Sequence, residues 1–588
     1  YLNGTLIHTS NVGDPIQAIE PSVGFTNVDV TANLSALKVG QNVVAFRLVN
    51  ASSSSSDLLL STELVGATAP SANSNYVYLT DPSPGAANQA GSLNPGPVVS
   101  AVTENPTQPS DAANMVINAT VTPRSGTSIS SVSLRYRVGY GAEVTLAMND
   151  TGVNGDFTAG DGIYSVPIPA SASSQGDMLR WTVVATDSDS QESRMPLQAD
   201  TSGSSQSPEY YGTVVSSTVA GSLPVMHWFT DDVTNSMTRT GSRASVLYQG
   251  KFYDNIYVRV RGGGTNGSSQ KFDFNKGFPF YVNSDLPAVG EVNMNANGQD
   301  PSYVRQPLGF DFHRETGNPG CEVVQVHMIM NGSFDRIGSL IEQVDEDYLK
   351  RFDFDEEGGE LFKFVQRSNL QPCFDDVATG VERKTGDKSD LSSVQSLVTD
   401  LKQATSDARV KSFYDNMDVQ EFVNYMAVRA VLQQADDVRK NFYMYKDSAG
   451  DKRWRMLPWD LDWIFGIGAS HGAARIEHPF FGVEDFPTDD GADQWNRLYD
   501  VAFEDVEMQR LYLRRIRTLM DTYVKPTASG GWFDTQIDTI FNSMNGLSGP
   551  SSSNKDSLKN TELVERRSDL YTQLTASITG MATVIPGA

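Results

Sequence analysis

Residues 458–466 read PWDLDWIFG and set two carboxylates, Asp460 and Asp462, in a run that is otherwise aromatic and aliphatic. The flanks (Trp454, Met456, Leu457, Trp459, Leu461, Trp463, Ile464, Phe465) read as a buried strand entering a turn. Burying one unpaired carboxylate costs roughly several kcal/mol, so acids placed here need a shield or a use. Upstream stands QQADDVRKNFYMYKD, residues 433–447. A helix is expected to run out near Gln434, Asp436 and Asp437 to fall on the loop that follows, and Asn441 to lead an alternating strand. KDSAGDK then reverses the chain and RWRMLP returns beside it. The hairpin brings the loop of Asp436 and Asn441 next to that of Asp460 and Asp462, closing four carboxylates and an amide onto one small volume. Like charges so packed repel by roughly several kcal/mol unless cations neutralise them. Hard oxygen ligands of this kind suit Mg²⁺, which completes its shell with water and phosphate.

Asp436 and Asn441 are five residues apart, the spacing from catalytic Asp to metal-binding Asn in the kinase loop D-x-x-x-x-N. Asp460 then takes the place of the aspartate that bridges metal to phosphates. The stretch DDVRKNFYMYKD…KRWRMLPWDLDWIFG is very similar to the core signature of the CotH-type (spore coat protein H) kinase family. EVVQVHMIMNGSFDRIGSLIEQVDEDYLKRF resembles that family's hairpin with a central Asn-Gly turn followed by E-x-V-D. VRVRGGGTNGSSQKFDF resembles its Arg-Gly-rich strand-turn-strand leading to a lysine. Together these cover most of residues 222–588.

The resemblance implies an atypical protein kinase of reduced kinase-like fold that uses ATP and Mg²⁺ or Mn²⁺ to phosphorylate secreted or coat proteins. It implies that Asp436 is the base that orients the acceptor hydroxyl, with adjacent Asp437 as the alternative. Asn441 and Asp460 would hold metal, and Asp462 would support them or bind a second ion. Lys271 would contact the α- and β-phosphates, Lys276 being the other candidate. Gly262, Gly263 and Gly264 of the RGGGT turn would lie over the phosphates, because glycine lets backbone N–H groups approach closely. Glu342 and Gln343 fall where a kinase hinge meets adenine. Glu315, in FDFHRETG, is the candidate for the lysine's helix-borne partner. The sequence departs from the kinase pattern in having no His-Arg before Asp436 and WDLD in place of DFG.

The 588 residues are enough for about three or four domains. The expected architecture is multidomain, with two N-terminal all-β sandwich modules, the first partial, and a C-terminal α+β atypical protein-kinase-like domain. Residues 1–70 carry period-2 segments (VDVTANL, NVVAFRLVN, DLLLSTELV) that resemble the end of a galactose-binding-like jelly roll. Residues 71–97 read as a linker rich in Pro, Ser, Asn and Gly. Residues 98–197 alternate in short strands that argue for an immunoglobulin- or fibronectin-like sandwich, 198–221 form a second linker, and 222–588 form the kinase-like domain. Within the sandwich, NDTGVNGDFTAGDGIYS spaces Asp150, Asp156 and Asp161 with glycines. Such a loop could hold structural Ca²⁺, although Asp-Gly pairs are also ordinary turn chemistry.

A formal net charge of −26 repels nucleic acid and anionic lipid, and no run of about 18 apolar residues exists to span a membrane. The start, YLNGTLIHTS, has no signal-peptide texture, so a segment preceding Tyr1 is expected. The two cysteines, Cys321 and Cys373, read either as independent buried thiols or as one disulfide. The leading functional expectation is a secreted or cell-surface bacterial kinase acting on Ser/Thr of extracellular or surface proteins. The competing expectation is a non-catalytic pseudokinase scaffold whose β modules contact glycans.

Overall fold

The computed structural model describes residues 1–9, 30–38, 42–46, 95–197, 207–216, 219–262, 269–365, 377–434, 440–465, 496–525 and 531–581. The chain divides into two units, residues 1–76 and 77–588. In the first unit, Leu2 bridges Val44, and Asn3 ties the turn together through Ala36 and Asn42. Thr31–Ala36 form a 3₁₀ turn where alternation predicts a strand. There the Asn33 amide bonds back to the Val30 carbonyl, a local alternative to strand pairing. The DLLLSTELV strand and the 71–94 linker lie outside the described residues.

The second unit begins with two antiparallel sheets over one core. One sheet has the order β1 (Val98–Asn105), β2 (Met115–Thr122), β5 (Ile163–Ile168). The other runs β4 (Val144–Met148), β3 (Ile129–Val138), β6 (Met178–Asp187), β7 (Glu192–Met195), with β8 (Tyr211–Val214) also on β6. Strict alternation along β2 sends Met115, Ile117, Ala119 and Val121 inward to meet Leu134 and Trp181. The second expected linker is thus corrected, because β8 falls inside it and completes the sheet. Its turn-rich flanks hid a four-residue strand. In the Asp-Gly loop, ligand oxygens of Asp150, Asp156 and Asp161 lie within 4.8 Å of one another. Backbone amides donate to all three, as in Gly162 N–H to Asp150 at 3.0 Å and Ile163 N–H to Asp161 at 2.9 Å.

Seven strands then close a barrel: β9 (Val225–Phe229), β10 (Ser242–Tyr248), β11 (Lys251–Val260), β12 (Gln270–Asp273), β13 (Glu291–Asn295), β14 (Val323–Met330) and β15 (Ser333–Ile341). Asn331 and Gly332 both take positive φ in the β14–β15 turn, the two-residue geometry that matches strand twist. The sandwich is joined to the barrel. Arg180 of β6 forms a buried ion pair with Asp254 of β11 at 3.4 Å, and Asp254 also accepts from Ser245 and the Tyr210 amide.

The rest is helical around a four-stranded sheet, β17 (Val381–Arg383), β16 (Glu360–Phe364), β18 (Phe442–Lys446), β19 (Trp454–Pro458). The helices are α1 (Val233–Ser236), α2 (Arg305–Glu315), α3 (Glu346–Arg351), α4 (Val377–Gly380), α5 (Ser392–Asp400), α6 (Ser406–Asn416), α7 (Val419–Leu432), α8 (Arg497–Phe503), α9 (Val506–Leu519), α10 (Trp532–Ser543), α11 (Ser552–Ser557) and α12 (Leu563–Met581). Asp300 starts α2 by accepting from the Val304 and Arg305 amides, and Asp418 caps α7 through the Glu421 amide. The expected β-rich part followed by an α-rich part is what the chain builds. Cys321 is a free, buried thiol, and Cys373 lies outside the described residues.

Candidate active site

The β18–β19 hairpin forms as its alternation predicts, with Phe442 opposite Pro458 and Lys446 opposite Trp454. Asn441 precedes Phe442, and Asp460 stands two residues beyond Pro458, so both lie at the open end of one hairpin. Both adopt left-handed backbone, φ +63° at Asn441 and +60° at Asp460. Asn and Asp tolerate that region best among side-chain-bearing residues, and such outliers concentrate at functional sites. The Asn441 amide is fixed by the Phe364 carbonyl at 3.1 Å. Asp462 lies in the turn that follows Asp460 and is half-buried. Asp436 and Asp437 lie outside the described residues, as do Gly263 and Gly264.

What holds the hairpin end is nevertheless clear. Trp459 is buried, with Phe310 of α2 and Tyr443 of β18 edge-on to its ring. Leu461 and Ile464 pack on Gly309 of α2. The Phe465 amide donates to the Leu432 carbonyl at 2.8 Å, and Arg566 of α12 donates to the Ala430 and Val431 carbonyls. The final carbonyls of α7 are thus satisfied by groups from two other segments.

Facing this end is the outer surface of the barrel. Lys271 on β12 reaches Glu291 of β13 at 2.5 Å. Glu315 is therefore corrected as its partner: it is exposed at the far end of α2. A neighbouring strand supplies the acid instead, because residues 273 and 291 are in register and carry Lys271 and Glu291 onto one face. Lys276 is exposed in the turn after β12, and Gly262 has φ +77° with its carbonyl taken by Arg239. Gln343 accepts from Asn293 at 2.6 Å. The Glu342 carboxylate is buried and turned to Arg351, at 2.8 and 2.5 Å, and its backbone N–H donates to the Glu322 carbonyl at 3.0 Å, so neither is open to a ligand.

Sequence reasoning missed two cations. Arg261, at the end of β11, bonds Asn295, which in turn donates to Gln306 of α2 at 3.1 Å. Its guanidinium lies 5.5 Å from the Trp459 ring centre. Lys363 of β16 sits 4.9 Å from the same ring and 5.4 Å from that of Tyr443. Burial pushes the Lys363 ammonium down to about 7, with Arg261 adding to the shift and Asp460 opposing it. The signal was present in ELFKF: a lone cation in an apolar strand is the same oddity as Asp460 in PWDLDWIFG.

An amide and a carboxylate, Asn441 and Asp460, stand in left-handed backbone at one hairpin end, and both are donor types that suit a hard divalent cation. Against known families, residues 258–549 match the model for CotH kinase protein. This part of the chain belongs to the CotH family. Inner spore coat protein H of Bacillus subtilis (strain 168) is 23% identical over 216 residues, covering 36% of this chain and 59% of that protein. Of solved structures, the Helicobacter pylori proinflammatory kinase CtkA is 13% identical, covers 52% of this chain and 94% of its own, and superposes with a TM-score of 0.27. CtTel1 in its open conformation is 12% identical over 57% of this chain and 12% of its own, with a TM-score of 0.26.

Proposed function

We propose that this CotH-type domain is a metal-dependent protein kinase that transfers the γ-phosphoryl group of ATP to a Ser/Thr hydroxyl on a secreted or surface protein. The observation that carries the reading is the pairing of Asn441 and Asp460, both in left-handed backbone, at one hairpin end facing Lys271, Arg261 and Lys363. Asn441 and Asp460 would hold Mg²⁺ or Mn²⁺, with Asp462 beside them. Bound there, the metal would neutralise charge on the phosphates. Asp436, or its neighbour Asp437, would take the acceptor's proton as the hydroxyl oxygen bonds to the γ-phosphorus and the bridging bond to the β-phosphate breaks, releasing ADP. Gln343 and the backbone carbonyl at Glu342 would border the base. Catalysis of this kind is chiefly positioning and charge neutralisation.

The test is transfer of labelled γ-phosphate to protein with Mg²⁺ or Mn²⁺ by wild type, Asp436→Ala and Asp460→Ala. Wild type should incorporate label and both variants should lose it. Equal incorporation by all three would overturn the reading.

A further inference from the structure

At its candidate site this chain of net charge −26 sets two cations that, among the described residues, have no carboxylate ion pair of their own. Around the Lys363 ammonium stand Arg261, Lys271 and Lys384, with Asp460 as the opposing charge. Lys271 is neutralised by Glu291 at 2.5 Å, and Lys384 by Glu382 at 2.6 Å. Among the described residues neither Arg261 nor Lys363 has a carboxylate at ion-pair distance. Arg261 is held by the neutral Asn295 amide, and Lys363 by two aromatic faces.

The two cations come from separate pieces of the fold. Arg261 extends from the barrel, and Lys363 stands on the sheet that carries the Asn441–Asp460 hairpin, where it is in register with Tyr443. They meet over one ring, that of Trp459, which directly precedes Asp460. Half-buried, the Lys363 ammonium loses part of its hydration, and the aromatic faces return only about 0.5–2 kcal/mol. A polyphosphate supplies the missing charge, and arginine and lysine are the side chains suited to it.

We propose that Arg261 and Lys363, brought together over Trp459 from the barrel and the hairpin sheet, form a two-sided seat for the terminal phosphates of a polyphosphate ligand, so that binding clamps the barrel to the metal-bearing hairpin. This rests on the kinase reading for the identity of the ligand as ATP, and adds to it a phosphate contact distinct from Lys271. Lys363 is a binding residue here. A lysine that merely covered the indole would be replaceable by methionine, which keeps the aliphatic stem and loses the charge.

The experiment is calorimetric titration of the full chain with ATP, adenosine and inorganic triphosphate in Mg²⁺, for wild type, Lys363→Met and Lys363→Arg. In Lys363→Met, ATP and triphosphate should each bind roughly tenfold to a hundredfold more weakly, the loss expected for a hydrogen bond between charged groups. Adenosine affinity should be unchanged, and Lys363→Arg should recover part of the loss. Equal ATP and triphosphate affinities in wild type and Lys363→Met would overturn the seat while leaving the kinase reading in place. Triphosphate binding that depends on Lys363, with no gain from adenosine, would keep the seat and remove the nucleotide assignment. Absence of both ligands from wild type would overturn both. Thermal melts of the free proteins confirm that each variant is folded.

Discussion

The backbone amide of Phe465 donates to the carbonyl of Leu432 at 2.8 Å. Leu432 ends α7 four residues before Asp436, and Phe465 lies three residues after Asp462. One hydrogen bond therefore pins together the two segments that carry the candidate catalytic and metal-binding acids.

Arg566 supports the same junction by donating to the Ala430 and Val431 carbonyls. Arg566→Leu should destabilise the chain by about 1–3 kcal/mol, the cost of removing a charged donor from the buried Val431 carbonyl and from that of Ala430, which keeps the Gln433 amide. It should also reduce phosphate transfer more than it reduces ATP affinity, because the loop moves while the phosphate seat stays. Urea unfolding together with paired KM and kcat measurements checks this; a variant of wild-type stability would contradict it.

Gly309 is the point where α2 meets the acidic loop. A Cβ there would lie 2.9 Å from the Leu461 Cβ and 3.1 Å from its Cδ1. Gly309→Ala gains roughly 1 kcal/mol of helix propensity, yet overpacking of a tight contact costs about 1–3 kcal/mol. The expected result is a lower Tm and weaker metal-dependent activity, and a raised Tm with full activity would show that the contact yields.

The hairpin that carries Asn441 and Asp460 was legible because its signals are local. The Asn441–Asp460 hairpin follows from the alternation in NFYMYK and RWRMLP, and the ends of α7 from its apolar spacing. Arg261, Lys363 and the Lys271–Glu291 pair were not legible as a group. Their meeting depends on barrel closure and on strands far apart in sequence, which no short window contains. Glu315 failed for a related reason: residue spacing places an acid on α2 but does not say which end of the helix faces the lysine. The sandwich strands were readable from alternation, whereas β8 was lost in a polar, turn-rich stretch.

The Arg180–Asp254 pair predicts that the sandwich is part of the support of the CotH-type domain. Side-chain exposure is 6% and 1%, and Tyr140 stacks on the guanidinium at 4.4 Å. Breaking a buried pair by removing one partner typically costs about 3–5 kcal/mol. Arg180→Met should lower the denaturation midpoint of the barrel as well as the sandwich in hydrogen exchange. Loss confined to residues 98–215 would mean that the two parts are independent.

His313 gives a pH dependence. Burial holds its imidazole down to about 3, with Arg314 adding to the effect. An unfolded histidine takes up its proton near pH 6.5, whereas the folded one stays neutral until about 3. Stability from this group is therefore lost as pH falls through that window, by up to about 1.4 kcal/mol per pH unit. Asp311 and Asp345, pushed by burial to about 6 and about 7, act in the opposite direction. The comparison of wild type with His313→Gln isolates the imidazole's contribution: melting curves at pH 7.5, 6 and 5 should show a lower Tm for the variant at pH 7.5 and a smaller loss on acidification. Parallel losses would contradict it.

A crystal structure with Mn²⁺ and a non-hydrolysable ATP analogue, the metal located by its anomalous signal, shows whether the hairpin end holds the metal. The expected result is manganese about 2.2 Å from oxygens of Asn441 and Asp460, with the phosphates between it and the Arg261–Lys363 pair. Manganese and nucleotide bound elsewhere, with the hairpin end empty, would contradict it.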